Sequence, residues 1–211
     1  MLQILGSPAS INVRKVLWTC TELDRPFELQ PWGRGPAAGA LSIDSAGFRA
    51  LNPNAMIPVI RDGDFVLWES NAICRYLANG HARHDLLPNA PRERARVEQW
   101  MDWQATELNN AWRYAFMALV RQSPAHTDPA LIAASIANWN RHMAMLDEQL
   151  HKTGAFVTGA GFTLADVVLG LSLNRWRMTP MERPTLPALD AWQVRLNERA
   201  GHRLHAANGT P

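Results

Sequence analysis

Cysteine is nearly missing from this sequence. Only Cys20 and Cys74 occur among 211 residues, both in apolar surroundings, so no disulfide framework is expected and two buried thiols in a reducing compartment are. Long apolar runs are missing as well. Nowhere do 18 apolar residues follow one another, and "MLQILGSPAS" puts no basic stretch ahead of an apolar one. This argues against a membrane span or secretory leader and for a soluble, cytoplasmic protein. Nor does one sign of charge dominate: 21 Lys and Arg stand against 19 Asp and Glu, interspersed, so no basic stripe marks a nucleic-acid or membrane partner. No metal site is expected. What the chain does have is core-forming material, 47% hydrophobic residues, enough for one large domain or two small ones.

The pattern favours two. "LQIL" reads as a short strand, "NVRKVLWTCTEL" as a helix and "FELQPW" as a second strand, a βαβ unit. After the glycine- and proline-rich "WGRGPAAGAL" come a short helix over about Asp44 to Leu51 and strands at Val59–Arg61 and Phe65–Trp68, joined by the turn "DGD". A helix from Ser70 stops near Gly80. The polar "NGHARHDLLPNAPRER" then marks a boundary: residues 1–80 form the first domain, 81–90 a linker and 91–211 the second. Beyond the linker everything reads helical. Val97, Met101, Leu108 and Ala115 share a face of one long helix, and Trp139, Met143, Leu146 and Leu150 share a face of another that opens at Pro129 and closes at Gly154.

Two features of "AMIPVIRDGDFVLWESNAICRYLANG" exceed what local structure requires. Pro58 interrupts the start of a buried strand, which suggests a cis Ile57–Pro58 bond that leaves the Ile57 N–H and C=O for an outside, peptide-like partner. Glu69 supplies an anion, and Ser70 a hydroxyl plus the unpaired N–H groups of a helix start. Ammonium on Glu69 and carboxylate on Ser70 would hold a zwitterion. The γ-glutamyl end of glutathione is such a group, and its central cysteine is such a peptide. Each feature also has a plainer role, Pro58 as a strand-start proline and Glu69–Ser70 as a helix cap.

With "SPASINVRKVLW", "ALNPNAMIPVI", "LWESNAICRYLA" and "GFTLADVVLG" in this order and spacing, the sequence resembles the cytosolic glutathione transferases, most nearly the bacterial, serine-type theta- and nu-like members. The resemblance implies an α+β thioredoxin-like N-terminal domain, βαβαββα, followed by an all-α helical bundle. It also implies a homodimer with glutathione as co-substrate and a small electrophile as second substrate. An acid on the first long helix would reach toward the other subunit's γ-glutamyl ammonium, and Asp102 is the residue so aligned. Trp112, Tyr114 and Phe116 are candidates to border the apolar co-substrate pocket, or else to be core. "TLAD", with Thr163 and Asp166, reads as a capping box without a catalytic role.

The chemistry belongs in "SPASIN". A free thiol has a pKa of about 8.5, and lowering it by about 2 units takes roughly 2.7 kcal/mol, within reach of one hydroxyl donor and a helix start. Ser10, four residues before Arg14, holds the position of the activating serine of theta- and delta-like relatives. Asn12, three before Lys15, matches the asparagine of nu-like ones. Either would act by donating a hydrogen bond to sulfur; Ser10 is the expected donor ahead of Asn12, although it could instead simply cap the helix. One departure stands out: relatives often carry a polar or cationic residue in the two positions before the Ile/Val-Pro pair, to hold the glycyl carboxylate, where this chain has Ala55 and Met56. That anchor is absent, or has moved to Arg34 or Arg49. Two functions follow, an enzyme adding glutathione thiolate to electrophiles or reducing organic hydroperoxides with it, and a non-catalytic ligand carrier or adaptor on the same fold.

Overall fold

The structure, a computed structural model, describes residues 1–34 and 41–211. It divides into two compact units, Met1–His84 and Asp85–Pro211.

In the first unit the order is β1 (Leu2–Leu5), α1 (Ile11–Glu22), β2 (Phe27–Gln30), α2 (Ala46–Leu51), β3 (Val59–Asp62), β4 (Phe65–Trp68) and α3 (Ser70–Gly80). The sheet runs β2-β1-β3-β4. β1 lies parallel to β2, with Ile4 opposite Leu29, and antiparallel to β3, with Ile4 opposite Ile60. A parallel neighbour needs a crossover helix, which α1 supplies, whereas β3 and β4 need only the turn at Gly63, whose φ of 65° suits glycine. Leu2, Ile4, Leu5, Val59 and Ile60 are buried in the sheet. On one side, α1 and α3 pack together, and the buried Lys15 donates from Nζ to Asn71 Oδ1 at 3.1 Å. That bond ties α1 to the first turn of α3. Tyr76 on α3 donates to Asp62 at 3.2 Å, and Arg25 pairs with the same carboxylate at 3.1 Å.

Both thiols are fully buried, Cys20 on α1 and Cys74 on α3. Burial pushes Cys20 up to about 12, with Cys74 nearby adding to the shift. It pushes Cys74 up to about 11 against a hydrogen bond from Thr19.

The second unit is helical in every regular element described. α4 (Pro91–Trp103), a π turn at Gln104–Leu108 and α5 (Asn109–Leu119) follow one another without a break, then come α6 (Pro129–Thr153), α7 (Leu164–Met178), α8 (Pro187–Asn197) and α9 (Ala200–His205). The π turn is a departure from the uninterrupted helix that 3.6-residue spacing predicts. Its first residue, Gln104, is buried and donates from Nε2 to Asn109 Oδ1 at 3.0 Å and Ser172 Oγ at 3.1 Å. A buried amide needs such partners, and a local shift of register brings them within reach.

Helix α6 starts where Asp128 accepts from the amides of Ala130 (2.8 Å) and Leu131 (3.4 Å). It ends at Gly154, whose φ is 78°. Helix α7 opens on the capping box: Thr163 N–H donates to Asp166 Oδ2 at 2.9 Å. The buried Asp166 also accepts from Val157 N and Trp192 Nε1, both at 3.0 Å. Burial pushes its carboxyl up to about 6, against the pull of those donors. Thr163 and Asp166 thus hold a helix start and a loop, as the capping pattern predicts. No described helix is long and apolar enough to cross a membrane.

Candidate functional site

A cleft of about 280 Å³ opens in the N-terminal unit, lined by Asn12, Asn52, Asn54, Met56, Ile57, Pro58, Glu69 and Ser70. Three stretches of chain meet there: the first turn of α1, the segment leading into β3, and the β4–α3 junction.

The segment before β3 is held by one buried side chain. Asn52 donates from Nδ2 to the Met56 carbonyl at 2.7 Å, and its Oδ1 accepts from Asn54 N at 3.0 Å and Asn54 Nδ2 at 3.2 Å. With a φ of 50° at Ala55, the chain turns tightly here and presents Met56 outward, 55% exposed. The Ile57–Pro58 bond is cis, as the sequence suggests. Among the described residues, no hydrogen bond engages the N–H or C=O of Ile57. Ile57 lines the cleft just before β3 pairs with β1.

At the other wall Glu69 takes a φ of 75°, a conformation costing a non-glycine residue on the order of 1 kcal/mol or more. This places the exposed carboxylate immediately before α3, while Ser70 is buried with the opening of the helix. The first-turn N–H groups of a helix have no acceptor within it, so an anion is favoured beside the cation site that Glu69 provides.

The two candidate donors part company. Asn12 lines the cleft; Ser10 is not among its lining residues. Ser10 occupies the N-cap position of α1 with an extended backbone, but its side chain makes no capping bond. Arg34, considered as a relocated anchor, also lies off the cleft lining. It donates to the Ala55 carbonyl at 3.4 Å and pairs with Asp44 at 3.7 Å. Arg49 pairs with the same Asp44 at 3.3 Å.

In the C-terminal unit Asp102 is exposed on α4. Trp112 and Phe116 face inward: the buried Arg175 lies 4.5 Å and 4.1 Å from their ring centroids, and Trp112 donates to Asn109 at 3.1 Å. Tyr114 points elsewhere. Its hydroxyl accepts from Asp128 N at 3.3 Å and its ring meets His126 edge-on at 4.9 Å. The three rings therefore do not gather on one surface. Sequence reasoning passed over Asn52 and Asn54, although an Asx residue before a proline-bounded strand is a turn signal of the kind that builds such a wall.

Two family models match the chain. Residues 9–79 match "Glutathione S-transferase, N-terminal domain" and residues 129–193 match "Glutathione S-transferase, C-terminal domain". The chain is 37% identical over 205 residues to glutathione S-transferase GstB of Escherichia coli strain K12, covering 96% of each chain. It is 32% identical to human glutathione S-transferase theta-1 over 171 residues, 76% of this chain and 69% of that one. Among solved structures it is similar to the theta class glutathione S-transferase of Xanthomonas axonopodis pv. citri with glutathione bound. The TM-score is 0.89 and the identity 37%, with coverage of 100% of this chain and 99% of that one.

Proposed function

Since this chain belongs to the glutathione S-transferase family, matching the GstB member over 96% of its length, we propose that the cleft binds glutathione and activates its thiol for attack on small electrophiles. The observation that carries this reading is the convergence on one cleft of Asn12, the unengaged Ile57 backbone, the Glu69 carboxylate and the start of α3. The cysteinyl part of the peptide pairs with the Ile57 N–H and C=O as an added strand would. Its ammonium meets Glu69, and its α-carboxylate takes the Ser70 hydroxyl and the first-turn amides.

Asn12, placed on the cleft, donates its amide N–H to the sulfur and favours the thiolate. The thiol proton passes to solvent. The sulfur lone pair then forms the new C–S bond as the leaving group departs with its electrons. Ser10, with no capping bond to make, is the competing donor. The assembly is a homodimer in which Asp102 extends toward the partner's ammonium site, and the setting is the cytoplasm.

Titration of the pure protein with glutathione by calorimetry tests binding, and thiolate absorbance of the complex against pH tests activation. A thiol pKa lowered by one unit or more in the complex is expected. Binding with an unshifted thiol would leave a carrier of glutathione in place of a transferase.

A further inference from the structure

The cleft contains one charged group among its described lining residues, and it is an anion, Glu69. The peptide proposed for it carries two carboxylates and an ammonium. Glu69 answers the ammonium, and the start of α3 answers the γ-glutamyl carboxylate. Among the described lining residues none is cationic, so none answers the glycyl carboxylate with a charge. The segment beside the Ile57 strand offers Asn52, Asn54 and Met56 instead, and Asn52 is spent on the Met56 carbonyl and Asn54. Arg34 shares its guanidinium between the Ala55 carbonyl and Asp44, whose carboxylate also takes Arg49. Residues 35–40, "GPAAGA", add no charged side chain whatever their placement.

From this charge inventory, and resting on the glutathione reading above, we infer that the cleft does not select for a charged C-terminus. It accepts γ-glutamyl-cysteinyl peptides whose glycyl end is masked as an amide about as well as glutathione. The Asn54 amide lines the cleft and can donate to a carboxamide oxygen as it would to a carboxylate. A neutral donor gains far less from the negative charge than an ammonium or guanidinium does, for which a charge-assisted bond multiplies affinity by about tenfold or more. The substrate class is therefore γ-glutamyl thiols with or without a conjugate on the glycine.

The test compares glutathione with its glycinamide, γ-glutamyl-cysteinyl-glycinamide, by calorimetry on the full chain, in the native protein and in Met56→Lys. Met56 is 55% exposed, so the substitution removes no core contact. In the native protein the two dissociation constants should agree within about threefold. In Met56→Lys glutathione should tighten about tenfold while the glycinamide stays put. A native preference of tenfold or more for free glutathione would overturn the inference, and so would equal treatment of the two peptides by Met56→Lys. Failure of both peptides to bind would instead remove the glutathione reading itself.

Discussion

A methyl group at Gly6 would lie 2.5 Å from Val13 Cγ2 and 3.2 Å from Ile57 Cβ. Val13 is β-branched and stiff, so it cannot swing aside freely, and Ile57 carries the peptide-binding backbone. Gly6→Ala should destabilise the fold by about 1–3 kcal/mol, the usual range for overpacking. It should also weaken glutathione binding beyond what the lost folded fraction explains, as denaturant melts alongside calorimetry will show. The donor question is equally local. Asn12→Ala should raise the thiol pKa of bound glutathione by one to two units, since a hydrogen bond to a charged group is worth about 1.5–3 kcal/mol. Ser10→Ala should shift it less, and the reverse order would give the role to Ser10. Residues such as Glu69 and Ile57 were legible in the sequence because their chemistry goes beyond what a hairpin and a helix require. Asn52 and Asn54 left only a local turn signal that was passed over, and Gly6 left none, because its close approach to Ile57 exists only in the fold.

At the scale of elements, α7 depends on its first turn. Asp166 gathers backbone amides of Val157 and Thr163, the Thr163 hydroxyl and the Trp192 indole N–H, all of them donors. An amide in its place would turn an N–H₂ group toward some of those donors and leave them unsatisfied. Asp166→Asn should cost on the order of 3 kcal/mol or more and Thr163→Ala about 1 kcal/mol. Glutathione affinity of the folded protein should not change, which separates a folding role from a catalytic one. Helix α9 has its own sensitivity. Burial, and secondarily Arg203, pushes the His202 imidazole down to about 4, whereas a histidine of the unfolded chain titrates at about 6.5. The unfolded state therefore takes the proton first. The contribution of a neutral His202 is whole above about pH 6.5 and lost as pH falls toward 4. Relative to His202→Leu, the native protein should lose about 3 kcal/mol between pH 6.5 and 4 in parallel urea melts. Helix α6 was legible from periodicity and from Pro129 and Gly154 at its ends, whereas the Asp128 cap and the short α9 were not read from the sequence. The π turn was not, because Gln104 answers to Ser172, 68 residues away.

For the molecule as a whole, light scattering at micromolar concentration should return the mass of a dimer, and Asp102→Asn should weaken glutathione binding. An unchanged affinity would withdraw Asp102 from the site. The two native thiols bear on how long such a catalyst lasts. A protein that brings electrophiles to a sulfur anion exposes itself to the same reagents at every turnover. Here Cys20 and Cys74 lie sealed between α1 and α3 and stay protonated throughout the physiological range. N-ethylmaleimide should add nothing to the native chain and two equivalents to the unfolded one, by mass spectrometry. Burial thus shields the chain's own cysteines from its substrates, and the sulfur put at risk is the one that arrives on the peptide and leaves with the product.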